Sequence, residues 1–340
     1  MKIQKYHFFF GWLALVIGLS NACSNNQPQE ASTALAPSGN QEIDQVTQRL
    51  QATPNDASLY ALRAELFYEK NSYDQAILDM TAAMTLDSLN LDYHHLLSDI
   101  YLDYFRSRLA LKTMERAVAI DPTHLPSLLK LSEIQLFLKK NEDALKTLDK
   151  VLRQDPQNAL AFFFMGKNFE EMGDRNRAIN AYQKASENDP EMLDAWIKLG
   201  QLHASINSQL AEAYFDNAIE VDSMSTVALN AKAEYRWSQD DPQEALALYK
   251  TAIRKDRMDE KSYYNAGLVY LELDSLDKAY EHFNIAIENA PLYVAAYYYR
   301  GYAAELLGKT AQAKADYEHA LRLAPEYQKA LEGAARLRGK

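Results

Sequence analysis

The chain has 340 residues, 48% of them apolar, with 36 basic and 47 acidic residues, seven histidines and one cysteine, for a net charge of −11. The acid surplus excludes a basic stripe for phosphate backbones, and with it nucleic acid as a partner. The lone Cys23 excludes an internal disulfide framework and a thiolate metal cluster.

At the N-terminus, Lys2 and Lys5 precede Phe8–Leu19, an apolar run of 12 residues that is too short to span a bilayer comfortably. Small residues follow and end in Ser20-Asn21-Ala22-Cys23. The stretch resembles a bacterial lipoprotein signal over residues 1–22, cleaved before a cysteine that becomes diacylated, with palmitate among the expected chains. Ser20 departs from the usual aliphatic residue three before the cysteine, with Leu19 one step further out. Relaxed boxes of this kind are familiar in the Bacteroidetes. Ordinary secretory cleavage and a retained anchor are the alternatives. The resemblance implies lipidation of Cys23, and Ser24 after it looks like an outer-membrane sorting context, since Asp there is the retention signal. The expected place is therefore the outer membrane of a Gram-negative envelope, facing the periplasm, ahead of inner-membrane anchoring or surface exposure.

Residues 23–41 hold Cys23 and a polar tether, Ser24–Gln41, rich in Pro, Ser, Asn and Gln. Such a tether typically spans about 20–25 Å and at most about 60 Å. No amphipathic basic helix follows, so membrane contact is expected through the lipid alone.

From Ala57 to Tyr327 the chain repeats with a period of 34 residues, in eight units: 57–90, 91–124, 125–158, 159–192, 193–225, 226–259, 260–293 and 294–327. The eighth position is always small, as in Ala64, Ser98, Gly166 and Gly301, and the twentieth is always alanine, from Ala76 to Ala313. Bulky residues fill the twenty-fourth, from Met80 through Tyr182 and Tyr249 to Tyr317. This is the spacing of two antiparallel helices per unit that approach over small residues while large ones fill the gaps. Proline at 122, 156, 190, 291 and 325 is expected to stop the second helix, with Ser88, Ser223 and Arg257 in its place elsewhere. The fifth unit is one residue short between His203 and Ala211, which predicts a shortened inter-helix turn. Asp241-Pro242-Gln243-Glu244 reads as a capping-box start.

Residues 42–56 read as an N-terminal capping helix with Ile43, Val46 and Leu50 inward. Residues 328–340 read as a C-terminal one, with Ala330, Leu331, Ala334 and Leu337 inward and Lys329, Arg336 and Arg338 facing water.

This pattern resembles the tetratricopeptide repeat (TPR) over residues 57–327. The resemblance implies an all-α, right-handed α-solenoid of eight helix hairpins. It also implies a concave groove lined by the first helix of each unit, through positions 2, 5, 9, 12 and 13. Carried over, those positions give an acidic N-terminal half of Glu65, Glu69, Asp92, Asp99, Asp103 and Glu133, with His95 among them. Phe163, Lys167, Glu170 and Glu171 lie at the middle, and Trp237, Tyr264, Tyr298 and Tyr302, with Tyr299 beside them, make an aromatic C-terminal end. Some of these rings are expected to be packing between units, and any left exposed would be hot spots. The family's best-known groove code is a clamp of Lys and Asn holding an acidic chain end. Asn230 and Asn265 approach it, but Glu234, Ala295 and Tyr299 break it.

The implied function is a non-catalytic scaffold or adaptor that binds envelope proteins or peptides with basic and apolar character, without cofactor or metal. A glycan-binding lipoprotein using the groove aromatics is the alternative, although the helical glycan-capture lipoproteins carry long insertions that this chain lacks. His95 with Asp92, Asp99 and Asp103 has ligand-like spacing, but reads better as a solvated acidic wall. Gly308-Lys309-Thr310 resembles the tail of a phosphate-binding loop, yet Ala303 replaces the required glycine and the tripeptide falls at a turn. Ser88, Ser223 and Ser275 sit in Asp-Ser-Leu/Met triplets that resemble the Bacteroidetes O-glycosylation sequon, with ordinary helix-terminus chemistry as the plainer reading.

Overall fold

A computed structural model of the protein describes residues 39–338, so the expected signal, Cys23 and most of the tether lie outside the described residues. Among the described residues, all regular structure is helical. A leading helix, α1 (Gln41–Ala52), is followed by hairpins of an A and a B helix. These are α2 (Ala57–Glu69) with α3 (Tyr73–Leu86), α4 (Leu91–Asp103) with α5 (Ser107–Ile120), α6 (Leu125–Phe137) with α7 (Asn141–Gln154), and α8 (Ala159–Glu171) with α9 (Arg175–Asn188). The second half continues with α10 (Leu193–Ala204) and α11 (Leu210–Val221), α12 (Thr226–Ser238) and α13 (Pro242–Lys255), α14 (Glu260–Glu272) and α15 (Leu276–Asn289), and α16 (Val294–Leu306) and α17 (Thr310–Leu323). A last helix, α18 (Gln328–Leu337), closes the array.

Each A helix packs on its own B helix and each B helix on the next A, so the hairpins stack in chain order. Successive A-type helices also touch, as α6 with α8, α12 with α14 and α16 with α18. Among the described residues no pair of successive B helices comes as close, and this difference places the A helices on the inner face of the curve.

The packing follows the small–large pattern. A Cβ added at Gly166 would lie 2.5 Å from the Tyr182 ring, and one at Gly200 would lie 2.6 Å from the Phe215 ring. The ring thus fills the space where a side chain would be, which is how a fully buried aromatic fits between helices this close. The alanines at positions 20 and 27, such as Ala178 and Ala185, are wholly buried. Unit six breaks the pairing, because there Tyr249 shares its core cluster with Ala233 rather than a glycine.

Two inward ion pairs mark the ends of the array at equivalent places. Arg63 grips Asp79 through Nε and Nη2 at 2.7 and 2.8 Å, and Arg300 grips Asp316 at 2.9 and 2.5 Å. Each guanidinium also reaches the preceding hairpin or helix, through Thr47 and Asn284 respectively.

The turns differ in part from the sequence reading. In every unit the A–B turn places one residue in the left-handed region, and only Gly173 and Gly308 are glycine. The others include Asn71, Asp240, Lys139 and Phe105, with φ between 53° and 65° except for Asn207 at 52°. Closing prolines are not what stops the B helices, since those before Ser88, Ser223 and Arg257 end in the same way. There the side chains of Asp87, Asp222 and Asp256 accept the N–H groups of Leu89, Met224 and Met258 at 3.3, 2.8 and 2.8 Å.

Nor does unit five shorten its turn. Both its helices shrink to 12 residues, and Ser205–Gln209 forms a longer connection, with Asn207 left-handed. His203 Nδ1 meets Ser208 Oγ across this connection at 3.1 Å, and the same oxygen accepts the Leu210 N–H at 3.3 Å at the start of α11, where the Gln209 side chain makes no cap. The Asp241 capping start is present, with its carboxylate accepting Glu244 N–H at 3.1 Å.

At the ends, α1 buries Ile43, Val46 and Leu50 as its spacing predicts. Helix α18 buries Ala330 and Leu337 but exposes Leu331, because Gly333 takes the inner place and lies against the Tyr317 ring. Lys329, Arg336 and Arg338 are exposed as expected, and the first two also reach back to Tyr299 and Glu305 of the array.

Candidate binding groove

The A-helix face divides into three stretches. Across α2, α4 and α6, Glu65, Glu69, Asp92 and Glu133 are solvent-exposed, and among the described residues none of their carboxylates forms an ion pair. Asp99 is matched by Lys130 at 2.5 Å, and Asp103 accepts the Tyr68 hydroxyl at 2.5 Å. His95 does not join these carboxylates in a cluster. Its Nε2 meets the buried Ser127 hydroxyl at 2.8 Å, and His124 Nδ1 meets the same oxygen at 2.8 Å. Burial, helped by the nearby Lys130 and His124, holds the His95 imidazole below its ordinary pKa. The acid surplus of this stretch therefore faces solvent unbalanced.

The middle stretch holds a cleft of about 580 Å³ between α6, α8 and α10. It gathers the predicted Glu133, Lys167, Glu170 and Glu171, and adds Leu136, Phe137 and Lys198. Glu170 is fixed from both sides, accepting the buried Tyr182 hydroxyl at 2.8 Å and Lys198 Nζ at 3.2 Å. Glu171 pairs loosely with Lys139 at 3.7 Å. Lys167 lies 5.9 Å from the Phe163 and Phe164 rings, within cation–π range. Phe163 itself is packing, half-buried against Phe164 and Tyr182. Phe137, which sequence reasoning passed over, is the exposed aromatic of the cleft. Its position 13 was a carried-over groove position, but the carboxylates around it drew the reading toward charge alone.

The aromatic end is more crowded than its sequence implied. Tyr264 packs among Phe283, Tyr293 and Tyr299 at 4.8–5.9 Å between ring centres. Tyr298 touches Tyr299 at 4.8 Å, stacks on Tyr302 at 6.2 Å and meets Tyr327 at 5.9 Å. From α18, Lys329 Nζ donates to the Tyr299 hydroxyl at 2.8 Å, and Arg336 lies over Tyr302 while pairing with Glu305 at 2.9 Å. The terminal helix thus supplies two cations to a surface expected to be apolar. Trp237 stays half-buried on α12, its indole N–H donating to Glu272 at 2.7 Å.

Position 24 joins the core to the groove. Like Tyr182 with Glu170, Tyr317 donates its hydroxyl to Glu305 on its own A helix, at 2.7 Å. In unit six the matching A-helix place is Trp237, and the fully buried Tyr249 hydroxyl has no hydrogen-bond partner. Burial first, and the Glu234 carboxylate second, push that hydroxyl far above the usual tyrosine range.

The remaining motifs fall as follows. Asn230 is spent internally on Asp259 and Ser262 at 3.0 and 2.8 Å, and Asn265 on Glu234 at 3.2 Å, so no clamp is assembled from them. Gly308-Lys309-Thr310 is the A–B turn of unit eight, with Gly308 at φ +73° and Lys309 directed to Asp277 at 3.7 Å. Ser88 and Ser223 lie in B–A turns, and Ser275 sits at the N-cap of α15.

Comparison with known proteins agrees with this architecture. Tetratricopeptide-repeat family models match residues 105–162, then 165–223, 207–260 and 230–292, and finally 294–327. RNA polymerase II-associated protein 3 of Mus musculus is 28% identical over 177 residues, covering 47% of this chain. The chain spans only 26% of that protein's length. Among solved structures, a tetratricopeptide repeat protein from Parabacteroides merdae aligns with a TM-score of 0.55 at 18% identity, over 73% of this chain and 98% of the other. The anaphase-promoting-complex hetero-tetramer Cut9–Hcn1 aligns with a TM-score of 0.55 at 17% identity, over 87% of this chain and 58% of that one. These likenesses carry the fold and nothing finer. With family models matching well over half of its length, this chain belongs to the tetratricopeptide repeat family.

Proposed function

We propose that this protein is a non-catalytic scaffold or adaptor that binds protein or peptide segments of basic and apolar character on its A-helix face. It is lipid-anchored through Cys23 at the outer membrane, facing the periplasm, where it supports assembly or regulation of an envelope machine. The observation that carries the reading is the unbalanced charge of the inner face. Glu65, Glu69, Asp92 and Glu133 stand exposed without ion-pair partners beside a cleft that presents Phe137. Exposed carboxylates left unmatched on one face repel each other and favour a cationic partner, and a neighbouring exposed aromatic supplies the apolar anchor.

The test is affinity purification of the lipidated chain from crosslinked envelopes, beside a variant with Glu65, Glu69 and Glu133 changed to Lys. Loss of the co-purified proteins from the variant is expected. Their undiminished retention would place the binding face elsewhere. Labelled palmitate incorporated by the wild type and not by Cys23→Ala checks the anchor independently.

A further inference from the structure

The convex side of the array carries charge opposite in sign to that of the groove. On each B helix the residues at positions 20, 24 and 27 of the repeat face the core, so those at 22 and 26 face away from it. In units two to four these outward places hold Lys112, Arg116, Lys146, Lys150 and Lys184, a cation at five of the six, with Asn180 at the last. The other five units place no cation at either position. Over whole helices, α5, α7 and α9 hold nine basic and five acidic residues, a balance of +4. The other five B helices hold six basic and 11 acidic residues, a balance of −5.

Pairing leaves most of these cations free. Among the described residues, Arg153 pairs with Asp149, Lys146 with Asp143 and Arg177 with Asp174. Arg108, Lys112, Arg116, Lys150, Arg175 and Lys184 are exposed and form no ion pair, against three free acids, Glu115, Glu142 and Glu187. At the A–B edge Arg106, Lys139 and Lys140 extend the patch, each with a carboxylate 3.7–3.9 Å away. At the B–A edge Asp121, Asp155 and Asp189 bound it, their carboxylates accepting turn N–H groups. The A–B end of the patch is therefore its positive end. No one of these helices is basic along an apolar face, so the patch forms only when three of them stand side by side.

Three observations narrow the occupant. The patch lacks the apolar anchor that a protein partner needs, since among the described residues α7 and α9 expose no large apolar side chain and α5 only Leu109. A layer of anionic headgroups needs none. The chain also enters at the matching edge: α1 is joined to α2 by four residues, as B helices are joined to A helices, so its start at Gln41 lies at the A–B end. From there α5 and α9 lie about 20 and 40 Å along the array at about 10 Å per hairpin, within the tether's maximum of about 60 Å. Finally, the acidic groove lies across two helix layers, roughly 20 Å away, well beyond the Debye length of about 8 Å, so it does not cancel the attraction.

We infer that the convex face of units two to four rests on anionic phospholipid headgroups, which turns the acidic groove away from the bilayer. The inference rests on the proposed function for the lipid anchor, and adds which face the anchored chain lays on the membrane.

The test uses the full chain floated with vesicles of phosphatidylcholine, alone or with phosphatidylglycerol at 3:1, containing a lipid with a nitroxide on its headgroup. A fluorophore is placed on Asn180→Cys at the patch or on Glu69→Cys in the groove, and its quenching is read. Quenching at Asn180→Cys is at least about threefold greater in the anionic vesicles than in the neutral ones, and Glu69→Cys is quenched in neither. K112E/R116E/K150E abolishes the difference, as does salt of about 0.5 M. K250E/K278E/K314E, the same change of charge on later B helices, keeps it. Equal quenching of Asn180→Cys in both vesicles, persistence in K112E/R116E/K150E, or quenching at Glu69→Cys instead overturns the inference and leaves the anchor standing. Binding of poly-glutamate through the patch while the vesicles leave it untouched overturns it in favour of an acidic protein. A chain that floats with neither vesicle overturns anchor and placement together. Flotation with the anionic vesicles alone, lost in K112E/R116E/K150E, supports the placement and removes the anchor.

Discussion

Tyr182, Tyr249 and Tyr317 occupy one place in three units, yet removing their hydroxyls should act in opposite directions. Tyr182 and Tyr317 donate to Glu170 and Glu305 at 2.8 and 2.7 Å, whereas Tyr249 is fully buried and donates to nothing. A hydrogen bond to a charged acceptor is worth about 1.5–3 kcal/mol, and an unsatisfied buried polar group costs about 1–3 kcal/mol. Glu170 is partly solvated, so the lower end applies there. Tyr182→Phe and Tyr317→Phe should each lose about 1–2 kcal/mol, while Tyr249→Phe should be neutral or gain about 1 kcal/mol. Urea unfolding followed by tryptophan fluorescence measures all three, with Trp237 reporting from the helix that packs beside Tyr249. A Tyr249→Phe variant destabilised as much as Tyr182→Phe would refute the reasoning, because it would mean the hydroxyl has an acceptor after all.

Glycines should separate by mechanism. Gly166→Ala drives a methyl to 2.5 Å from the Tyr182 ring and should cost more than about 2 kcal/mol, as overpacking does. Gly173→Ala meets open space and should cost only the left-handed strain, about 1 kcal/mol, in the same denaturation assay. Asp79→Ala and Asp316→Ala each strand a largely buried arginine, so losses of about 3–5 kcal/mol in unfolding free energy are expected. Stability should also fall with pH. His95, His203 and His282 are all held below the ordinary histidine pKa, chiefly by burial, so the unfolded chain takes up protons first. Their contribution is intact above about pH 6.5 and is lost as pH drops below it, and a thermal midpoint that rises from pH 7 to pH 5 would contradict this.

Sequence periodicity made the architecture legible because it reflects the strongest constraint, burial of one helix face against a neighbour. Small residues at positions 8 and 20 announced the close approach that Gly166 and Ala178 now show. The site was legible only as a list of positions. Nothing in the pattern said that Lys130 would neutralise Asp99, or that α18 would lay Lys329 and Arg336 over the tyrosines, since both depend on contacts between units. Lys198 was missed for the same reason, since a cleft spanning three A helices belongs to no single repeat, whereas Phe137 stood at a groove position and was passed over for the carboxylates around it. The closing prolines were overvalued because aspartate side chains do the same work in the turns that lack them.

The one-residue deletion in unit five has a consequence for how such an array keeps its spacing. Every B helix is joined to the next A helix by four residues, as Asp87–Asn90 and Asp222–Ser225 show, and this holds across the short unit as well. The change is absorbed between those joints, by shorter α10 and α11 and a five-residue A–B connection, away from the places that set one hairpin on the next. The pitch of the inner face is therefore written in the four-residue joints, while the rim turns can gain or lose residues without moving any groove position out of step. Evolution can vary the rim of such a molecule and leave its ruler untouched.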